Sequence, residues 1–311
     1  MVAIFNYNGA QERIRNVVGG TTYRDMLRYL QCRDLKLWGA AKPHDFVEIC
    51  MVATASKDVL GLSYADIILA FSNKISFFPR AIHHNIKLCR RSLRNWAHQY
   101  ITPGDACGWK RAADRANLPI WLKGVRLWMD STDIKIAKKG RKREPKSKHW
   151  SAKLQAPGRR FSVVSDADGV IRKAWSGVSP KVYDTDFVIS QKDTLEDNFA
   201  GATIIADNHY WVASKKMRDP KFLACAGKKT TVAEARKARF AQTKEELRQR
   251  RPEAKEARAR VETNFSSLKR TFRSLRGEAY MPWRESLQEL DHTFVWACGV
   301  HNYKKLRPEQ E

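Results

Sequence analysis

The sequence predicts an α/β protein, a mixed sheet with flanking helices, preceded by an all-α domain. Three observations carry this. Apolar residues recur at helical spacing through the first hundred positions, apolar runs of strand length take over near position 125, and a long charged stretch with a helical apolar stripe follows the last of them.

Tyr23 to Leu30 is amphipathic, and Asp45 to Ala55 sets Phe46, Ile49, Val52 and Ala53 on one stripe. Ser63 is placed as an N-cap with Asp66 three residues on, ahead of Ile67, Ile68, Leu69 and Phe71. After the polar break Ser72-Asn73-Lys74 a second helix begins near Pro79 and runs towards Trp96. Arg80, His83, His84, Lys87, Arg90, Arg91 and Arg94 interleave there with Ile82, Ile86, Leu93 and Trp96, as in a helix packed on one side and facing phosphate on the other. A helix-turn-helix and an ordinary helical hairpin both fit this pattern. His83 and His84 are no metal pair, because adjacent helical residues point about 100° apart.

Thr102 to Gly108 is turn-rich and reads as a boundary. Residues 1–101 are therefore expected as a helical, helix-turn-helix-like domain, 102–124 as a linker, 125–302 as the α/β domain and 303–311 as a tail. Between Lys138 and Lys148 seven Lys or Arg stand with a single Glu144, broken by Gly140 and Pro145. That basic loop reads equally as a nuclear-localisation signal, a DNA contact or a solvated run.

Strands are expected over Val125 to Ile136, Arg160 to Asp166, Val170 to Ser176 and Ala202 to Asp207, with a hairpin turn at Asp166 to Gly169 and a helix around Phe187 to Lys192. Residues 230–275 are helical by composition, with a break expected at Pro252. Downstream, Val261, Phe265, Leu268, Phe272 and Leu275 follow steps of four and three and dock the helix on the sheet, while Lys269, Arg270 and Arg273 face outward.

The charge of +25, from 58 Lys and Arg against 33 Asp and Glu, favours a polyanionic partner, nucleic acid first. Ten Trp and 43% hydrophobic residues point to a folded globule rather than a basic tail. The six cysteines, at 32, 50, 89, 107, 225 and 298, form no Cys-x-x-Cys pair and read as reduced, buried thiols of an intracellular protein without structural zinc. The start lacks a signal-peptide pattern and no uncharged apolar stretch reaches about 18 residues, so neither secretion nor a membrane span is expected.

In so basic a chain three carboxylates stand out: Asp130 in an alternating run, Asp207 closing Ile204-Ile205-Ala206, and Glu262 on the long helix. Two strand ends and a helix can bring such groups together as an oxygen-rich site for divalent metal against a phosphodiester. Strand parity turns Asp133 to the face opposite Asp130. Glu262 can equally pair with Arg258 four residues earlier. Asp184 is expected to cap the helix near Phe187, and Lys153 to contact phosphate. His209 and Tyr210 either line a substrate channel or pack.

Several blocks, in order, resemble the DDE transposases of the PIF/Harbinger type. Met129-Asp130-Ser131-Thr132-Asp133-Ile134 is similar to their Asp-Gly-Thr block, Trp150-Ser151-Ala152-Lys153 to Ser-Gly-Lys, and Val182-Tyr183-Asp184 to His-Asp. Ala206-Asp207-Asn208-His209-Tyr210 resembles Gly-Asp-Ser-Gly-Tyr, Arg258 to Glu262 with Phe265, Leu268 and Lys269 resembles Arg-x-x-Val-Glu and its Phe-Gly-x-Leu-Lys sequel, and His301-Asn302 matches a closing Leu-His-Asn.

The resemblance implies an RNase H-like catalytic domain over 125–302, with Asp130, Asp207 and Glu262 as catalytic, metal-binding triad and Mg²⁺ or Mn²⁺, two ions, as cofactor. It also implies DNA cleavage at terminal inverted repeats and strand transfer. DNA contacts are expected at Arg80, His84, Lys87, Arg90, Arg91, Arg94, Lys153, Lys269, Arg270 and Arg273. A Myb-like accessory protein, a homo-oligomer, no membrane partner and a nuclear location complete the expectation. A domesticated DNA-binding protein without transposition, and an RNase H-like nuclease on RNA or hybrids, are the alternatives.

Overall fold

The computed structural model describes residues 6–32, 44–72, 74, 78–136, 149–217, 219–226, 230–237, 240–276 and 287–307. Helices α1 (Tyr7–Val18), α2 (Gly20–Cys32), α3 (His44–Asp58), α4 (Tyr64–Phe71) and α5 (Phe78–His98) come first. Asn6 caps α1 through Gly9 N at 2.8 Å. Ser63 and Asp66 form the expected reciprocal capping box on α4, satisfying donors that a helix start leaves open. Helix α3 departs from a one-sided stripe: from Cys50 to Asp58 every residue is buried, because neighbouring helices cover it on several sides.

The stretch expected as linker carries helix α6 (Ala106–Arg115), capped by Asp105 through Gly108 N at 2.6 Å. Strands β1 (Leu127–Lys135), β2 (Trp150–Ser151), β3 (Ala156–Asp166), β4 (Ile171–Ala174), β5 (Thr203–Ala206) and β6 (Lys221–Ala224) make one mixed sheet in the order β2-β3-β1-β5-β6, with β4 also on β3. Strand β1 pairs antiparallel with β3, Asp130 opposite Val163, and parallel with β5, Trp128 opposite Ile205. Gly169 turns the β3–β4 hairpin with φ of 77° and donates to Asp166 O at 3.0 Å.

Helices α7 (Asp184–Ser190) and α8 (Lys192–Phe199) lead into β5, and α9 (Trp211–Lys216) and α10 (Val232–Lys237) bracket β6. Helix α11 (Lys244–Thr271) runs unbroken through Pro252, against the expected break. A proline inside a helix costs about 3 kcal/mol; Leu247 before it and Ala254, Ala257 and Val261 after it are buried, which offsets that loss. The last helix, α12 (Leu287–Leu306), is buried from Glu289 to Tyr303.

Alternation along β1 divides the core. Trp128 joins a cluster with α5, α11 and α12, while Leu127 and Met129 join Phe187, Leu195, Ile204 and Phe222 on the other face. The first cluster is continuous from Ala10 through Ile86 and Trp96 to Trp296 and Tyr303. Asn302 ties its parts together, accepting from Ile171 N at 2.8 Å and donating to Ile171 O and Tyr100 O at 2.7 and 2.8 Å. Among the described residues no helix is long and apolar enough to cross a membrane.

Candidate active site

Trp128 fixes how α11 meets the sheet: its buried indole Nε1 donates to the Ala257 carbonyl at 2.8 Å. Asp130, two residues on along β1, faces the same side. The neighbouring parallel strand β5 ends at Ala206, so Asp207 emerges beside it, and α11 adds Arg258 and Glu262 one turn apart.

All three carboxylates converge on the Arg258 guanidinium. Nη1 lies 3.2 Å from Asp130 Oδ2 and 3.9 Å from Asp207 Oδ2, and Nη2 lies 2.6 Å from Glu262 Oε1. Exposure grades outward, from 15% for the Asp130 side chain through 36% for Asp207 to 52% for Glu262. Burial raises the Asp130 pKa to about 6; Asp207 adds to the rise, while the Ser131 N–H and Arg258 work against it. Burial opposes the charge of Arg258, yet Asp130, Asp207 and Glu262 outweigh it and raise its pKa. Buried Cys225 lies in the same electrostatic neighbourhood, its thiol pushed up to about 12 by burial.

A family model described as DDE superfamily endonuclease matches residues 129–302, more than half of the chain and all three carboxylates. The chain belongs to this family. No curated protein and no solved structure matches it significantly.

In this DDE endonuclease the carboxylates are hard oxygen donors already arranged around a cation, the donor chemistry that a divalent ion requires. Among the described residues no three His, Cys, Asp or Glu side chains close on one ion position. Glu262 does make its helix-neighbour pair with Arg258, and the same guanidinium also holds the other two acids. Helical spacing offers Arg258 only as a rival partner for Glu262; its place in the Arg-x-x-Val-Glu block is the signal for its wider role.

Asp133 is engaged elsewhere: it is 3% exposed, accepts from Arg160 Nε at 2.8 Å and from Ser151 Oγ at 2.5 Å. Asp184 does not cap α7. Tyr183 holds the cap position, and Asp184, first in the helix, lies 3.4 Å from Arg160 Nη1 because that guanidinium offers a charged partner. Tyr210 packs, fully buried, with its hydroxyl 3.0 Å from Ser131 Oγ; His209 is exposed.

Exposed Lys153 and partly buried Lys269 flank the acids. Lys269 Nζ donates to Thr132 Oγ1 at 2.8 Å, and burial with the charge of Lys153 lowers its pKa. Arg270 and Arg273 are exposed beyond it. On α5, His84 and Arg91 are exposed and Lys87 and Arg94 partly so. Arg90 corrects the expectation of a phosphate contact. It is fully buried, bonded to Asp58 through Nε at 2.7 Å and Nη2 at 2.6 Å, because it falls four residues after Ile86 and three before Leu93 on the packed face. The side chain of Arg80 and the basic loop 138–148 lie outside the described residues.

Proposed function

We propose that the protein is a transposase of the PIF/Harbinger type with an RNase H-like domain, cleaving DNA at terminal inverted repeats and transferring the strand. The observation that supports this most is the convergence of Asp130, Asp207 and Glu262 inside the family match, in a chain of charge +25.

Asp130, Asp207 and Glu262 would hold two Mg²⁺ or Mn²⁺ ions, which when bound supply Lewis acidity at the attacking and leaving oxygens. The chain's own residues position the phosphodiester. Lys153 and Lys269 border the acids and would hold non-bridging phosphate oxygens, and Arg270, Arg273, His84, Lys87, Arg91 and Arg94 would follow the flanking backbone. Arg258 neutralises the acids while no metal does. No His or Ser nucleophile is needed, since water or a DNA 3′-hydroxyl attacks in line. A helix-turn-helix contribution from α4 and α5, assembly into a homo-oligomer, a Myb-like accessory protein and a nuclear location belong to the same proposal.

Incubation of the protein with Mg²⁺ and a duplex ending in an inverted repeat is expected to yield cleavage that Asp207→Ala abolishes. Cleavage surviving that substitution contradicts the proposal.

A further inference from the structure

Between α5 and α12 lies an open cleft of about 350 Å³, lined by Lys87, Leu88, Arg91 and Arg94 from one helix and Gln288, Glu289 and His292 from the other. Lys87, Arg91 and Arg94 are spaced by four and three, so they share one helical face. Among the described residues none of these three cations makes an ion pair. Glu289 is the acidic member of the lining, and its Oε2 lies 3.6 Å from the buried Arg90 Nη1, so its charge is countered from behind and the cleft stays cationic.

His292 adds an observation that surface cations alone would not. It is 5% exposed, it lines the cleft, and its Nδ1 has no hydrogen-bond partner among the described residues. Burying an imidazole nitrogen unpaired is unfavourable, and such groups in native proteins ordinarily meet a ligand or solvent oxygen. Burial together with Arg94, Arg91 and Arg90 keeps the ring neutral, so in its Nδ1–H form it donates one hydrogen bond without adding charge. Three unpaired cations and one buried neutral donor around an open cleft suit an oxyanion with several acceptor oxygens.

We infer that this cleft is a phosphate site that seats a backbone phosphate of duplex DNA, with Lys87, Arg91 and Arg94 supplying charge and His292 a directed hydrogen bond. It rests on the DNA reading above and adds a second anchoring point, separate from the three acids. The site is composite. Helix α5 precedes the segment that the endonuclease family covers, and His292 belongs to that segment, so one phosphate would be gripped by both.

The test is duplex binding by the full chain, measured by fluorescence anisotropy without divalent metal across a range of salt. Arg91→Gln with Arg94→Gln is expected to weaken binding about tenfold on every duplex sequence. It should also lower the slope of log K against log salt by about 0.9, the change expected when one phosphate is no longer neutralised. His292→Gln, which retains a donor, should bind more tightly than His292→Leu, with both variants melting alike. Inorganic phosphate alone should shift the His292 ring resonances in the wild type. An unchanged slope and affinity in the double arginine variant overturn the site. Phosphate shifts without any duplex binding overturn the DNA assignment. A protein that binds with the predicted slopes and never cleaves leaves the cleft standing and removes only the endonuclease reading.

Discussion

Arg258 Nη1 lies 3.2 Å from Asp130 Oδ2, and this contact across β1 and α11 places a fixed positive charge where the carboxylates of the site would otherwise repel one another. On the proposed two-metal reading, a bound ion and the guanidinium would compete for the same oxygens. Arg258→Gln is expected to lower the melting temperature of metal-free protein, and Mn²⁺ should restore more stability to the variant than it adds to wild type. Thermal melts with and without Mn²⁺ and with chelator measure both effects; an equal Mn²⁺ shift in the two proteins contradicts the competition.

Arg90 has the opposite fate from the exposed cations of its helix. Arg90→Ala leaves Asp58 and Glu289 buried without their cation and should cost about 3–5 kcal/mol, enough to threaten folding. Arg91→Ala, one residue on and exposed, should change stability by less than about 0.5 kcal/mol. Urea unfolding of the two variants compares them directly, and equal losses would show Arg90 to be no more than a surface charge.

Gly299 lets α12 cross α5. A Cβ there would stand 2.3 Å from Ala97 Cβ and 2.6 Å from Ala97 Cα, closer than atoms can pack, so the helices would have to separate. Gly299→Ala should destabilise by about 1–3 kcal/mol despite the better helix propensity of alanine, and denaturant midpoints will report it. A stabilised variant would rule out this packing.

His301 is 9% exposed, with Nε2 2.9 Å from Gly169 O and Nδ1 3.3 Å from Ser267 Oγ. Burial lowers its pKa from 6.5 to about 4. The unfolded chain then binds the proton that the folded chain refuses, so this group's contribution is present above pH about 6.5 and is lost as pH falls towards 4. The loss amounts to roughly 3 kcal/mol, at 1.36 kcal/mol per pKa unit. His301→Gln should flatten the decline of unfolding free energy across that window, and an unchanged slope would place the titration elsewhere.

Local chemistry was the most readable part of the sequence. The capping box of Ser63 and Asp66 depends on four adjacent positions and forms as expected; the stripe from Val261 to Leu275 rests on spacing, and all five residues are buried, although α11 ends at Thr271, before Phe272 and Leu275. Strand β6 is not legible in the sequence because only Phe222 and Ala224 of its four residues are buried, too short a run for alternation to register. Pro252 departs from the expected break because a local rule yields to burial on either side of it. Within the site, the three acids were identifiable as residues, but the hub was not. That Arg258 reaches all of them follows from Trp128 setting the register between strand and helix, a contact spanning 129 positions in the chain.

Asp130, Asp207 and Glu262 are proposed to act as one metal-dependent site on DNA. Its most direct test is the single-turnover rate of duplex cleavage in Mg²⁺ for the wild type beside Asp130→Asn, Asp207→Asn and Glu262→Gln, each first checked for an intact fold by thermal melting. Groups acting as a unit lose nearly everything when any one is removed, so each variant should fall by about a thousandfold or more. Any one of the three retaining cleavage within about tenfold of wild type, in a folded protein, would contradict a shared site.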